Sequence, residues 1–431
     1  MTQAGEKLNA PGNTSNLIWP DWIQSERTKY SAALAFITFL MISREPQLFE
    51  VPRLWAEDGK VFYHDAYMVG WPSLFYPLGG YLNSFSRLIA LLVQPFALAW
   101  VPILYLLAAF ICQLLPAGVM LSKSMEDAIP SWPGRFAITC FYAALPNVSE
   151  LNFNLTNAQW HLAMASFLLT AQSPQHHKIN RVFTYSVLLI SGISGPFSIF
   201  LAPIAFGMWL FQRNTTSLTK ALLITSTALI QTICLAVTLA AHPRHSGVLQ
   251  ASLPLFLSIM ANKFFLCSIL GAPLASAFLS LPGATSEFVS TLILCFFGMI
   301  FFAAWRHGSQ IFKWALLWSG IQITAALIEP LDLNWHQLNL PEFGLRYFAI
   351  PSLVCFSGIL IAAFQGAKLI RYFSFGLLIL SIYGALLNWP YQHYHSPSFS
   401  DCVQAFNITP PGGTITCPET PNGWAMTLTK H

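Results

Sequence analysis

Charge is what this sequence has least of. Only 9% of its 431 residues are Asp, Glu, Lys or Arg, against about a quarter in an ordinary soluble domain. A chain that poor in charge cannot wet the surface of a soluble fold of this length. With 55% hydrophobic residues and a mean hydropathy of +0.55, it reads as an integral membrane protein. Strict apolar/polar alternation, the mark of a membrane barrel, is missing, and the apolar runs are long and continuous. The fold class is therefore all-α, a polytopic transmembrane helix bundle.

Other absences narrow the function. The first 30 residues hold no signal-peptide pattern, because Glu6, Asn9, Pro11, Asn13 and Asp21 interrupt any apolar core. The first apolar run, near Tyr30–Ser43, is expected to stay as an anchor helix. No P-loop, GxGxxG or GxSxG pattern occurs, which removes the usual nucleotide sites and the hydrolase elbow. A net charge of +4 gives no reason to expect nucleic acid as a partner. His64, His161 and His336 include no i, i+4 pair, so no helical His-based metal site is expected. A divalent cation held by Asp58 with other oxygens stays open.

Eleven apolar runs predict spans, near 28–43, 100–121, 136–148, 158–172, 180–194, 196–212, 219–241, 286–305, 312–328, 346–365 and 371–388. The stretches 85–97 and 248–281 are shorter or broken by Asn262, Lys263, Gly271 and Pro273. They are expected to be interfacial or re-entrant on the outer side. With the N-terminus inside, 13 of the 21 Lys and Arg fall on inner segments and 12 of the 17 acids fall outside. That is the bias of a chain with its N-terminus in and its C-terminus out. The division is then an inner segment 1–27, a membrane bundle 28–388 with an outer loop 44–99, and an outer tail 389–431.

Against this background the stretch "RLWAEDGKVFYHDAYMVGW", Arg53–Trp71, stands out. It crowds Glu57, Asp58, Lys60, His64 and Asp65 into the longest outer loop. Ionisable groups at a membrane boundary are candidates for function; the bland reading is a solvated face. Further polar groups gather in "LPNVSELNFNLTNAQWHLA" (145–163), which carries Glu150, Asn157 and His161, and in "EPLDLNWHQLNLPEFGLRYFAIP" (329–351), which carries His336, Arg346 and Tyr347. Asn147 and Asn154 read as turn or cap residues. Arg346 reads either as an interface anchor beside Tyr347 or as a fork for a phosphate oxygen. Cys402 and Cys417 flank a Pro/Gly-rich outer segment, "CVQAFNITPPGGTITC", and are expected to form a disulfide in an oxidising compartment; the alternative is two free thiols.

"WAEDG", "NSFSRLIALL", "NLTNAQWHLA", "SGPFSIFLAP" and "RYFAIP" in this layout resemble the GT-C superfamily of membrane glycosyltransferases. The resemblance covers most of the chain in layout and is specific only at the acidic pair, which here is the adjacent "ED" rather than DxD or ExD. It implies a polyprenyl-phosphate sugar donor, a glycan or lipid-linked acceptor, and chemistry on the outer face of a bacterial inner membrane, akin to enzymes that decorate O-antigen and other surface glycans. The resemblance implies a first-loop carboxylate as general base, Asp58 with Glu57 second, and inversion at the sugar. Arg346, Arg87 and Lys60 would steady the phosphate, with Tyr347, His64, Asn157, Glu150 and His336 lining the substrate. The 85–97 and 248–281 stretches are expected to wall the polyprenyl chain. The rivals are a transporter or flippase of lipid-linked saccharides, a polymerase or ligase, and a non-catalytic scaffold.

Overall fold

The computed structural model describes residues 26–174, 177–241, 248–330, 333–391 and 398–431. Most of the expected inner segment 1–27 lies outside the described residues. All eleven expected runs are helical. Six of them, with Leu253–Leu279 as a seventh, are long and apolar enough to cross a membrane: Leu98–Leu121, Thr215–Ala241, Gly283–His307, Gln310–Ile328, Leu345–Gln365 and Lys368–Leu387. The other five, Glu26–Ile42, Trp132–Ala144, Ala158–Ala171, Lys178–Gly192 and Phe197–Gln212, have 13 to 17 residues. At 1.5 Å per residue they run only about 20–26 Å, short of a hydrocarbon core of about 30 Å.

Local sequence explains where several helices begin and stop. The run expected at 136–148 is shifted to Trp132–Ala144. Ser131 caps its start by accepting from the Gly134 N–H at 3.1 Å, and Pro133 sits in the first turn, where a missing N–H costs nothing. It ends before Leu145 because Pro146 follows, and the residue before a proline is pushed out of the helical region. Leu345–Gln365 starts after Gly344, whose φ of 62° is left-handed, and stops at Gly366. Ala158–Ala171 is apolar all round and buried over 12 of its 14 residues, as expected of a helix at the centre of a bundle.

Leu253–Leu279 departs from a simple span. A π-helical turn occupies Met260–Leu266, and Gly271 breaks the helix at φ 74°, ψ 176°. A Cβ on Gly271 would lie 1.9 Å from Asn388 Nδ2, so only glycine fits. The segment and its approach hold the 334–343 loop: the Trp335 N–H donates to Leu249 O at 3.0 Å, Asn262 Nδ2 to Asn339 O at 3.0 Å, and Lys263 Nζ to Phe343 O at 2.6 Å.

One buried arginine gathers helix ends. Arg44, 2% exposed, donates to Ala143 O, Leu145 O, Asn388 O and Trp389 O at 2.7–3.2 Å. It lies just beyond Glu26–Ile42 and so joins the C-terminal ends of three helices at one end of the bundle, the site end below. A cation suits that position because helix carbonyls leave negative charge there.

The tail overturns a purely helical reading. Phe399–Ile408 is followed by an antiparallel hairpin, Thr414–Pro418 with Ala425–Thr429, in which Ile415, Cys417, Met426 and Leu428 alternate inward. Cys402 and Cys417 are joined by a disulfide. The inward face packs with Leu54, Phe62, Tyr63, Leu91 and Tyr105 in a second core, beneath the outer loop and apart from the main bundle core.

Candidate functional site

The first-loop acids sit where this second core meets the bundle. Trp55 and Thr420 pair as a short parallel bridge, with the Ala56 N–H donating to Thr420 O at 2.6 Å and the Thr420 N–H to Leu54 O at 3.2 Å. Ala56 turns the chain at a left-handed φ of 48°, a conformation that costs a residue with a Cβ about 1–2 kcal/mol. The turn lets a π-helical segment, Asp58–Tyr63, start at once. Such segments cluster at functional sites.

Asp58 is 1% exposed and does not face a hollow. Its Oδ1 accepts from the Thr156 N–H and the Thr156 hydroxyl, both at 2.8 Å. Its Oδ2 accepts from the N–H groups of Trp55 at 3.3 Å and Leu155 at 3.4 Å. Burial pushes the carboxyl up to about 7, against the opposing pull of these donors. Asp58 is thus held by the chain, with four donors facing its two oxygens. Glu57 beside it is half-buried and has access to solvent.

Glu419, which sequence reasoning missed, comes from the tail. It is 3% exposed, and its Oε2 accepts from the Lys60 N–H at 3.1 Å. Burial, then the charge of Asp58, push its carboxyl up to about 8; Glu57 adds to this, and the Lys60 and Gly59 N–H groups oppose it. Gly59 makes room for this carboxyl, since a Cβ there would lie 1.6 Å from Glu419 Oε1. The only local signal was a Glu between two prolines, "CPETP", beside Cys417.

The other expected residues fall into separate groups. Arg87, 2% exposed, pairs with Asp65 at 2.8 Å, and His64 Nδ1 meets the same carboxylate at 3.2 Å. Neither is bonded to Asp58. Lys60 sets its ammonium 4.8 Å from the Trp424 ring centre. Asn157 Nδ2 donates to Glu150 O at 2.7 Å, and its N–H to Asn154 Oδ1 at 2.9 Å. Asn147, at a left-handed φ of 57°, donates to Pro341 O at 2.9 Å. His161 is buried between the Tyr142 hydroxyl and Leu151 O, at 2.8 and 3.1 Å. His336 is exposed on Trp335–Asn339, away from the acids. Among the described residues no three His, Cys, Asp or Glu side chains come together as a metal set.

The loop 145–157 connects the acids to Arg346. Thr156 holds Asp58, and on the same loop Glu150 Oε1 accepts from the Arg346 N–H at 2.9 Å. The Arg346 guanidinium lies 5.5 Å from the Tyr347 ring centre, and Tyr347 packs edge-on to Trp160. Below Arg346 lies an apolar cavity of about 610 Å³. Ile350, Val354, Ser357, Ile361 and Phe364 line it from Leu345–Gln365. Their spacing of three and four places them on the helix face that Arg346 heads. Leu98–Leu121, Trp132–Ala144, Ala158–Ala171 and Gln310–Ile328 also line it. Neither 85–97 nor 248–281 lines this cavity; the Ser84–Val93 helix buries Ser84, Ser86, Arg87 and Leu91 against the protein.

No protein-family model matches the chain, and no curated protein matches it in sequence.

Proposed function

We propose that the chain is a membrane glycosyltransferase of the GT-C kind, moving a monosaccharide from a polyprenyl-phosphate donor to a glycan or lipid-linked acceptor. The observation that carries this reading is the single loop, 145–157, that fastens Asp58 at Thr156 and, through Glu150, the Arg346 N–H at the start of the helix whose residues from Ile350 onward line an apolar cavity. A polyprenyl chain needs such a cavity, and its phosphate needs a cation at the mouth. Glu57 is the base in this reading, because it alone of the adjacent pair can meet an acceptor hydroxyl. Asp58 holds the segment that carries Glu57. Attack from the face opposite the phosphate inverts the sugar.

The contacts support the expected sidedness. Gly283–His307 ends at Gly308, beside Ile361 near the far end of Leu345–Gln365, so Gly283 lies toward the site end. Leu249 bonds Trp335, whose indole N–H donates to Leu327 O at 2.8 Å, again at the site end. The 248–281 segment thus enters and leaves on one side. Eleven crossings, the N-terminus in the cytoplasm and the site outside a bacterial inner membrane are consistent with this.

The test is surface-glycan mass spectrometry of a deletion strain complemented with wild type, Glu57→Gln or Arg346→Ala, each checked for membrane abundance. Loss of one sugar in the deletion and both variants supports the reading; full restoration by both variants rejects it. A flippase is the second reading, because the cavity continues to Ser309 and Gln365 at the opposite end of the bundle. It predicts loss of the whole lipid-linked saccharide from the outer face.

A further inference from the structure

Two carboxyl groups from distant parts of the chain are buried together: Asp58 is 1% and Glu419 3% exposed. They belong to segments zipped by the Trp55–Thr420 bridge, with Gly59 between them giving up its side chain to make room. Asp58 is saturated by four donors, whereas Glu419 Oε1 is buried and meets no partner at hydrogen-bonding geometry among the described residues. The Tyr105 hydroxyl, on the neighbouring Val101–Leu121 helix, is likewise buried without a partner, and it feels the charges of both carboxyls. The groups facing Glu419 are Asp58, Glu57 and Tyr105, and the one nearby ammonium, Lys60, is turned onto Trp424. Asp65 is engaged by Arg87 and His64. Among the described residues no cation forms a salt bridge with either carboxyl.

We propose that Asp58 and Glu419 titrate as one coupled buried pair carrying a single negative charge, which makes the disulfide-closed tail part of the site and Glu419 a positioning residue for the first-loop acids. Two like charges in a dry enclosure cannot both ionise at neutral pH. Asp58 keeps the charge because four donors face it. Glu419 keeps the proton because fewer donors face it, the Lys60 and Gly59 N–H groups, and its Oε1 accepts no hydrogen bond. The arrangement fixes the turn Ala56–Gly59, and hence Glu57, without presenting a second anion to an incoming phosphate. The pairing does not depend on sugar transfer; only its effect on Glu57 rests on the reading above.

Infrared pH titration of the purified full chain in detergent tests it. Wild type should hold a protonated-carboxyl band at pH 6.5 that is gone by pH 9. Glu419→Gln should remove that band at pH 7, and Asp58→Asn should move the remaining titration down by about one unit or more. Glu57→Gln should leave the band in place. A wild-type protein with no protonated carboxyl above pH 6 overturns the proposal even if the variants fail to fold, as does a band indifferent to Glu419→Gln. Absence of glycan transfer by wild type would reject the transferase reading while the infrared result stands.

Discussion

Thr156 grips Asp58 twice, its backbone N–H and its hydroxyl both reaching Oδ1 at 2.8 Å. The residues are 98 positions apart, so this double contact decides how the first outer loop sits on the bundle. Thr156→Val keeps the shape and removes one donor; it should cost about 1–3 kcal/mol, read as a lower melting temperature in detergent. Asp58→Ala should cost more, because it leaves the Trp55, Leu155 and Thr156 N–H groups buried without an acceptor.

Docking of the tail should weaken as pH rises. Asp58 and Glu419 are both held above the ordinary carboxylate range, at about 7 and about 8, so the docked state binds more protons than the released one. The stabilisation is full below the ordinary carboxyl values and is lost as pH climbs through 7 and 8. The protection of residues 399–431 from hydrogen exchange, taken relative to the intrinsic rate at each pH, should fall between pH 6 and pH 9 in wild type and lose most of that fall in Glu419→Gln.

Reducing the Cys402–Cys417 disulfide should loosen the same element. A cross-link closing a loop of this length contributes about 3 kcal/mol, and Cys417 is two residues from Glu419. Cys402→Ser should open 399–431 to protease at temperatures where wild type resists, while the membrane helices stay protected.

Glu57→Gln and Arg346→Ala should separate chemistry from assembly. On the proposed transferase reading, in which Glu57 is the base, its loss costs about a hundred- to ten-thousandfold in rate, so transfer should all but vanish in Glu57→Gln with no change in melting temperature. Arg346→Ala should weaken donor use and lower stability as well, because the residue is largely buried beside Glu150.

Filling the apolar cavity should discriminate by lipid length. Ser357→Trp places an indole midway along the lining face of Leu345–Gln365. It should abolish use of long polyprenyl donors and spare short-chain analogues, measured by transfer from synthetic donors of graded length.

The helices were legible because apolar runs and their breakers are local. Pro146 is the exception: read as part of a span, it moved one helix end by four residues. The break inside 248–281 was legible from Gly271 and Pro273, helix-breaking residues in an otherwise apolar stretch, and the helix kinks at Gly271. The candidate site was legible only in part. Glu57 and Asp58 announced themselves as charge in a charge-poor chain, but their division of labour depends on Thr156. Glu419 lies 361 positions beyond Asp58, and no local pattern says that a tail will fold into a hairpin and push a carboxyl against Gly59. The apolar cavity was not legible for the same reason, since its walls come from five helices distant in sequence.

Arg44 carries a consequence for biosynthesis. Two of its four carbonyl partners, Asn388 and Trp389, belong to the last tenth of the chain. During translation its guanidinium must wait, half-coordinated by Ala143 and Leu145, until the final hydrophobic segment leaves the ribosome. Chains stopped short of Trp389 should therefore reach the bilayer yet fail quality control, because the clasp that closes first segment to last cannot form.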